Sequence, residues 1–364
     1  MSTLLTFLAW RGALLKAGCL LGVFVALLAS AQARPSQETA HFRSLTDVDG
    51  LSQMSASALA QDAEGYLWIG TQVGLNRYDG AKFRTFDRLG GGSRSLSEFD
   101  VSALLASPAG GLWVGTLNGL YRFDPATEVV APFVPSNGDP NGILQQSVNE
   151  LLFDDGALWI ATDAGLARLT LATSELASFG TQLAERRVHA LAADGTGGLW
   201  VGMANGLWHL AANSQVLTEV TAAGQGLRGW IQALTVDRVG DLWIGSKDEG
   251  LLRLQKGVLT QWRHDPVDPK SLSHDRVYAL LEDSQGQLWI GTEAGADLLA
   301  QRSSASAHFV RFQHRAAQSS SIGAGRIVSL MEDKAGDLWF GTWSGGASLL
   351  SPMRSQFLSF SADT

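Results

Sequence analysis

The chain contains little of several things on which many proteins depend. Its 364 residues include one cysteine, Cys19, so the chain cannot form an internal disulfide framework or a thiolate zinc site. Basic residues are in the minority, with 27 Lys and Arg against 35 Asp and Glu and a formal net charge of −8. A protein that binds duplex DNA usually has the opposite balance, so we expect no nucleic-acid partner.

Long apolar runs are also missing after the first 33 residues, so we expect no membrane span in the mature chain. With 9 prolines, and with 41 glycines that follow no three-residue period, the sequence is neither collagen-like nor proline-rich. It is 45% hydrophobic and 17% charged, which is typical of a globular protein with a sizeable core.

The amino terminus has the form of a secretory signal peptide. Arg11 and Lys16 precede an apolar run, and Ala31-Gln32-Ala33 supplies the small residues of a cleavage site. We predict a signal peptide over residues 1–33, cleavage before Arg34 and export to the periplasm. An uncleaved anchor is the first alternative, but the run is shorter than the roughly 20 residues that cross a bilayer. A lipoprotein anchored at Cys19 is the second, but the apolar run follows this cysteine instead of preceding it.

The body of the chain repeats one motif seven times. Each copy contains a Leu-Trp pair followed by an apolar residue, and successive copies are 41 to 50 residues apart. Such regular spacing predicts a repeat architecture. The repeated tryptophans are Trp68, Trp113, Trp159, Trp200, Trp243, Trp289 and Trp339.

Each copy predicts four short strands. An alternating apolar segment ends at a glycine turn, the tryptophan segment follows, and a Gly-Leu-x-Arg segment returns as the third strand. A fourth strand completes a unit of about 45 residues, the size of one propeller blade. We therefore predict an all-β fold, a seven-bladed β-propeller over residues 34–350. An open solenoid is the alternative, but it would need polar capping repeats, and the terminal copies are as apolar as the others.

The strand count leaves one strand over, because the segments 42–45 and 356–360 both have the pattern of a fourth strand. In one arrangement the amino-terminal segment closes the seventh blade, and residues 351–364 are a linker to a further domain. In the other, the carboxyl-terminal segment is the closing strand. We favour the first arrangement.

The repeat resembles the two-component regulator propeller repeat. The shared pattern is Val-x-Ala-Leu-x-x-Asp-x-x-Gly-x-Leu-Trp-Ile-Gly-Thr-x-x-Gly-Leu-x-Arg, with local departures such as Ala161 for a glycine and Ser107 for the acid. This family occurs in the exported sensor regions of bacterial hybrid histidine kinases and diguanylate cyclases. The resemblance is best over residues 56–78, 277–299 and 327–350.

The resemblance implies a sensory role and no enzyme activity of the chain itself. The sequence contains no phosphoacceptor His box, no nucleotide-binding glycine loop and no cyclase signature. We expect the input domain of a two-component-type signal transduction protein, without a cofactor or a bound metal. Its output domain or a protein partner would receive the signal.

The residues that recur in every copy have structural interpretations. The seven tryptophans are expected to pack between blades. The recurrent acids precede glycine turns, where a carboxylate accepts backbone N–H bonds. Calcium binding by these acids is the alternative, but each turn offers too few oxygen ligands for calcium. The acids are Asp62, Asp194, Asp237, Asp283 and Asp333.

Function is expected where the copies differ, at the mouth of the central channel. The residues just before the seven predicted inner strands are Ser55, Asp100, Ser147, Arg187, Trp230, Arg276 and Arg326. Blades four to seven supply arginine and tryptophan there, whereas blades one to three supply Met54, Phe99, Asp100 and Gln146. The candidate ligand-binding residues are Arg187, Arg228, Trp230, Arg276, Arg326 and Trp343, with Arg186 beside them.

An arc of arginines beside aromatic rings suits an anionic or carbohydrate-like ligand, because guanidinium groups pair with carboxylates and aromatic rings stack on sugars. The alternative is a solvated rim of long side chains without a ligand. A lyase or hydrolase is a further alternative, with His189, the pair His264 and Asp265, or the pair His274 and Asp275 as candidates and His274 as the best general base. A passive assembly scaffold is the third.

Overall fold

The computed structural model describes residue 36 and residues 40–86, 100–139, 141–179, 187–222, 225–300 and 307–351. The chain divides into two compact units, Met1–Ser36 and Gln37–Thr364, and the second contains every strand given below. The predicted signal peptide, the segment 356–360, Phe99 and Arg186 lie outside the described residues. The domain boundaries at residues 33 and 350 stay predictions.

The second unit is a seven-bladed β-propeller. Its seven four-stranded sheets are antiparallel, and we number them blades 1 to 7. In blades 1 to 6 the strands lie in chain order, as an inner strand, a Trp strand, a third strand and an outer strand. The first strand of the chain, β1, spans Phe42–Leu45 and belongs to blade 7.

The strand bounds follow the seven sequence repeats. Blades 1 and 2 consist of β2 (Ala58–Gln61), β3 (Leu67–Thr71), β4 (Gly74–Tyr78), β5 (Phe83–Phe86), β6 (Val101–Ala106), β7 (Leu112–Thr116), β8 (Gly119–Asp124) and β9 (Val129–Pro132). Blades 3 and 4 consist of β10 (Val148–Asp154), β11 (Ala157–Thr162), β12 (Gly165–Thr170), β13 (Glu175–Phe179), β14 (Val188–Ala193), β15 (Leu199–Met203), β16 (Gly206–Leu210) and β17 (Leu217–Glu219).

A two-stranded sheet, β18 (Thr221–Ala222) and β19 (Gln225–Gly226), lies between blades 4 and 5 in the chain. The remaining blades consist of β20 (Ile231–Val236), β21 (Leu242–Ser246), β22 (Leu251–Gln255), β23 (Val258–Trp262), β24 (Val277–Glu282), β25 (Leu288–Thr292), β26 (Gly295–Leu299), β27 (Phe309–Phe312), β28 (Ile327–Glu332), β29 (Leu338–Thr342) and β30 (Ala347–Leu350). Short 3-10 helices span Asp47–Asp49 and Ile143–Gln145.

The inner strands of successive blades contact one another around a central channel, and β28 contacts β2, so the ring is closed. The closing strand is β1, which pairs with β30 and places Phe42 opposite Leu350. The amino-terminal strand therefore holds the outer place in blade 7, as the first of the two predicted arrangements requires. Closure protects the sheet edges that an open stack would expose.

The repeated tryptophans pack between blades. In blade 1, the ring of Trp68 lies 4.7 Å from that of Phe123 in blade 2, and its Nε1 donates a hydrogen bond to Asp62 at 2.6 Å. Because Asp62 also accepts the backbone N–H of Tyr66, one carboxylate satisfies both the turn and the buried indole. The same indole bond, at 2.9 Å, joins Trp243 to Asp237, Trp289 to Asp283 and Trp339 to Asp333.

These contacts give the recurrent acids a structural role. In the part of the chain that the structure describes, no three His, Cys, Asp or Glu side chains come together as a metal site. Glu282 and Glu332, which stand beside two of the acids, instead accept backbone N–H bonds from Arg238 and Ser284 of the preceding blades. The calcium alternative therefore has no geometric support among these residues.

Six of the inner strands carry a β-bulge at their second residue, which we call the bulge position. A bulge turns one side chain away from the regular alternation, and such side chains often line functional sites. The bulge residues, together with Ser57 just ahead of β2, all line the central channel. They are Ser102, Asn149, His189, Gln232, Tyr278 and Val328.

Candidate functional site

One face of the propeller, the mouth face, is formed by the segments ahead of the inner strands and by the turns after the Trp strands. A recurring backbone hydrogen bond of 2.9 to 3.2 Å joins the two in each of five blades. Its carbonyl belongs to a residue that the sequence places at the mouth. The bonds run from Leu117 to Asp100, Asp163 to Ser147, Lys247 to Trp230, Glu293 to Arg276 and Trp343 to Arg326.

The first candidate cluster joins blades 6 and 7. The guanidinium group of Arg326 lies 4.1 Å from the ring centroid of Trp343 and 5.3 Å from that of Tyr278. Trp343 is 40% exposed, and Arg326 Nε is buried without a hydrogen-bond partner in the described residues. No carboxylate there lies within ion-pair distance of Arg326. This cluster, Arg326, Trp343 and Tyr278, can therefore offer a cationic and an aromatic group to a ligand.

The second candidate cluster joins blades 4 and 5. Trp230 stacks on His189 with 4.8 Å between ring centroids, and Lys247 Nζ lies 4.0 Å from the Trp230 ring. The indole N–H of Trp230 is buried without an acceptor in the described residues. Trp230 thus lies between the channel, which His189 lines, and the side chain of Lys247 in the turn after the Trp strand of blade 5.

The arginine arc is less cationic than its sequence indicates, because nearby turns supply carboxylates. Arg276 lies 3.8 Å from Asp248 and 3.7 Å from Glu293, and its hydrogen bond with Tyr278 raises the pKa of Arg276. Arg187, which is about half exposed, lies 3.8 Å from Asp163. These pairs screen the positive charge that an anion would meet.

Among the predicted arginines that the structure describes, Arg228 and Arg326 have no carboxylate within ion-pair distance. Arg228 is exposed in the segment before blade 5. The structure therefore brings together Arg326 with Trp343, and Trp230 with Lys247. It does not form one continuous arc from all six predicted residues.

Sequence reasoning missed the channel itself. The cavity has a volume of about 230 Å³ and is lined by the bulge residues and by the leucines that follow them in the inner strands. The signal was present in the repeat, because the bulge position is the variable residue of the Val-x-Ala-Leu segment. Its side chains are a serine, an asparagine, a histidine, a glutamine, a tyrosine and a valine, with Ser57 at the corresponding place in blade 1, although the flanking residues hardly change.

One channel residue, Glu150, carries a carboxyl group. Its Oε2 accepts the backbone N–H of Leu191 in blade 4 at 2.6 Å. Burial raises the pKa of Glu150 to about 8, with the Leu191 bond lowering it in part. The carboxyl group therefore takes up and releases its proton near neutral pH.

The candidate histidines hold loops. His264 Nδ1 lies 2.8 Å from the carbonyl oxygen of Leu272, and its backbone N–H donates to Asp275. His274 Nδ1 accepts the backbone N–H of Arg276 at 2.9 Å. This bond occupies one ring nitrogen of the best predicted general base, and among the described residues no carboxylate side chain is hydrogen-bonded to His274.

Comparison with known proteins supports the repeat assignment. The family model described as Two component regulator propeller matches residues 50–72, 271–294 and 321–344, which lie in blades 1, 6 and 7. A histidine kinase, Histidine kinase P4 of Formosa agariphila, is 49% identical over 45 residues. That match covers 12% of this chain and 3% of the kinase.

Solved structures show the same fold at low sequence identity. The extracellular domain of the hybrid two component system BT3049 from B. thetaiotaomicron superposes with a TM-score of 0.72 and 21% identity, covering 86% of this chain and 42% of that one. Virginiamycin B lyase from Staphylococcus aureus gives a TM-score of 0.63 at 14% identity, covering 86% and 99%. The present chain thus spans less than half of the BT3049 domain.

The fold is that of a seven-bladed β-propeller. Blades 1, 6 and 7 contain segments that match the two-component regulator propeller repeat. No helix within the described ranges has the length and apolar character that would span a bilayer.

Proposed function

We propose that this chain is an exported, periplasmic sensory propeller, the input domain of a two-component-type signal transduction protein, and that it binds a small carboxylated carbohydrate at its mouth face. The repeat family and the sensor-domain fold neighbours support the sensory part. The predicted signal peptide over residues 1–33 supports export. The ligand would signal to an output domain or a protein partner, joined through residues 351–364 or bound separately.

The cluster of Arg326, Trp343 and Tyr278 is the observation that carries the ligand class. An arginine without a carboxylate partner can pair with a ligand carboxylate, and the exposed Trp343 ring can stack on a sugar. Tyr278 connects this cluster to the channel, since it also lines the cavity. Trp230 and Lys247 offer a second aromatic and cationic pair across the same mouth.

Titration with D-glucuronate, with D-glucose as the neutral comparison, tests this proposal. We expect the full chain to bind glucuronate and Arg326→Ala to weaken binding about tenfold, because a charge-assisted contact is lost. Trp343→Ala should weaken the binding of both sugars. Arg84→Ala, on the outer strand of blade 1, is the matched control and should bind like the wild type. No binding of glucuronate, or equal binding by Arg326→Ala, would contradict the proposed ligand and site.

Catalysis is the competing function, since propellers of this fold include a lyase. The described geometry favours binding, because His274 uses Nδ1 to hold the backbone of Arg276. If the chain were an enzyme that uses His274 as its base, His274→Ala would abolish turnover. A sensor would keep its ligand affinity in the same variant.

A further inference from the structure

The central channel contains a site that the mouth clusters do not use. In six blades, the residue after the bulge position, or after Ser57 in blade 1, is small and pairs with a glycine in the Trp strand. These residues are Ala58, Ala103, Ala190, Ala233, Ala279 and Ser329. In blade 3 this residue is Glu150, which pairs with Ala161. In blade 3, Glu150 therefore replaces the small residue and Ala161 replaces the glycine. The first replacement puts a carboxyl group on the channel wall.

The described residues give Glu150 no cationic partner. Its one hydrogen bond comes from the N–H of Leu191, and no Lys or Arg lies within ion-pair distance. A channel-lining carboxyl group with one N–H donor retains unused acceptor capacity. A carboxylate buried without a cation is also costly, which a positively charged ligand would relieve.

Several other polar groups of the channel already donate their hydrogen bonds to the protein itself. Ser57 and Ser102 donate their hydroxyl hydrogens to the carbonyl oxygens of Val101 and Val148 in the next blades. Asn149 Nδ2 likewise donates to the carbonyl of Val188 at 2.7 Å. The lone pairs of these serine hydroxyl groups therefore remain as acceptors.

Two further groups follow the same pattern. Tyr278 donates its hydroxyl hydrogen to Glu293 at 2.5 Å. Gln232 Oε1 is buried without a donor among the described residues. The wall around Glu150 thus offers hydrogen-bond acceptors, whereas the mouth face offers cations.

Apolar side chains line the same cavity. The residues are Leu59, Leu104, Leu151, Leu234, Leu280 and Leu330. Each leucine comes one position after the small residue, or after Glu150, in its inner strand. Because the inner strands begin at the mouth face, the leucines surround the channel farther from the mouth than the acceptors do. A ligand that fits both layers has a hydrogen-bond-donating cation at one end and methylene groups at the other.

We propose that the central channel is a binding site for a primary alkylammonium ion, whose ammonium group pairs with Glu150 and whose methylene groups contact the leucines. An ammonium group is favoured over calcium because the channel offers one carboxylate, whereas calcium takes six to eight oxygen ligands. Tyr278 lines both this site and the first mouth cluster, but the proposal does not depend on the function proposed for the mouth clusters.

Calorimetric titration of the full chain with n-butylammonium chloride tests the site. Because the cation favours the ionised carboxylate, binding should be at least about tenfold tighter at about pH 9 than at about pH 6. Near pH 7 it should release up to one proton, which shows as a dependence of the heat on the buffer. n-Butanol, which carries no charge, should bind without this pH dependence.

Variants separate Glu150 from the other titratable groups of the channel wall, His189 and Tyr278. Glu150→Gln keeps an acceptor for Leu191 but removes the charge, so it should lose both the pH dependence and the proton release. Glu150→Ala installs the residue of the other blades and should do the same if Glu150→Gln fails to fold. His189→Gln and Tyr278→Phe should retain both effects.

Three results would overturn the site. One is equal affinity of the wild type and Glu150→Gln for n-butylammonium at about pH 9. Another is calcium binding that Glu150→Gln abolishes while n-butylammonium does not bind. The third is loss of n-butylammonium binding in Arg326→Ala, which would place the amine in the mouth face. Wild-type affinity of Arg326→Ala for n-butylammonium would support the channel site, even if glucuronate binds to no variant.

Discussion

At the residue scale, the indole nitrogen of Trp113 lacks the acid partner that four of the other repeated tryptophans have. Trp113 is buried between blades 2 and 3, yet its Nε1 has no hydrogen-bond acceptor in the described residues. In blades 1, 5, 6 and 7 the acceptor is an aspartate six residues earlier, and blade 2 has Ser107 there. A buried donor without an acceptor costs about 1 to 3 kcal/mol.

Ser107→Asp should therefore stabilise the protein. The new carboxylate would accept the Trp113 indole N–H, and we expect the free energy of unfolding to rise by about 1 kcal/mol. Urea denaturation followed by circular dichroism measures the change. The reverse substitution in blade 6, Asp283→Ser, is the matched control and should lower the free energy of unfolding. A lower stability of Ser107→Asp would mean that the cost of burying the carboxylate exceeds the gain from the indole bond.

The charge and geometry of the candidate site also depend on single residues. The sequence identified Arg326 and Trp230 as mouth residues because they lie just before predicted inner strands, and Trp343 because other copies have small or polar residues at its place. It could not show that Asp163, Asp248 and Glu293 neutralise neighbouring arginines, since these acids lie in different segments and meet the arginines only after folding. Side-chain pairing across blades is a property of the closed ring and not of one repeat.

Among the elements, β1 joins the amino-terminal end of the propeller to its last blade. Its four residues complete blade 7, and Phe42 contacts Phe340 in that blade at 5.4 Å and Phe312 of blade 6 at 5.8 Å. Phe42 is buried, whereas its neighbour Arg43 is exposed. The strand therefore fastens the two ends of the propeller by apolar packing as well as by backbone pairing.

Phe42→Ala should destabilise the whole ring. Removal of a buried phenylalanine ring typically costs about 3 to 5 kcal/mol, and here the loss falls on the seam between blades 6 and 7. Urea denaturation should show this loss, and limited proteolysis should cut the amino-terminal segment faster. Arg43→Ala is the control and should change stability by less than about 0.5 kcal/mol. A small effect of Phe42→Ala would mean that β1 does not fasten the ring.

The strand order was predictable from the sequence, but two features of the elements were not. Seven evenly spaced copies with alternating apolar residues predict seven blades, and their bounds lie close to those observed. The sequence favoured the amino-terminal strand as the closing strand, and the structure confirms it, but the pattern could not decide the matter because both segments alternate alike and the Phe42 contacts come from distant parts of the chain. The bulges were not predicted, because a residue that varies between copies does not by itself reveal a change of register between strands.

On the scale of the whole molecule, the side-chain hydrogen bonds between neighbouring blades are unevenly distributed around the ring. On the face opposite the mouth, each turn of blades 5, 6 and 7 donates a backbone N–H to the following blade, at Glu282, Glu332 and Gln61 respectively. Blades 2, 4 and 5 have Ala106, Ala193 and Val236 at the equivalent place, which have no side-chain acceptor. The mouth cluster of blades 6 and 7 therefore lies in the part of the ring that has these hydrogen bonds between blades.

Two buried acids make the stability of the ring depend on pH. Burial raises the pKa of Asp297 in β26 to about 7, and that of Glu150 to about 8. In the unfolded chain both ionise near pH 4. Between these values the folded state holds more protons, so these two groups lower the free energy of unfolding as pH rises from about 4 to about 8.

Asp297→Asn tests this directly, because β4 of blade 1 has Asn76 at the equivalent place. Asn76 Oδ1 accepts the N–H of Ser52, as Asp297 Oδ2 accepts that of Ser273, while Asp297 Oδ1 has no partner among the described residues. The asparagine keeps the bond and removes the buried charge. Its stability gain over the wild type should be near zero at about pH 4 and reach about 4 kcal/mol above pH 7, because a pKa difference of about three units corresponds to about 4 kcal/mol.

The control is the reciprocal change, Asn76→Asp, which places a carboxyl group in the same fully buried position of blade 1. Its stability should match that of the wild type most closely at about pH 4 and fall behind as pH rises, because the unfolded chain then ionises while the folded chain resists ionisation. Urea denaturation of both variants across this range measures the two slopes. Slopes of the same sign, or a constant offset, would show that Asp297 is ionised in the folded protein at neutral pH.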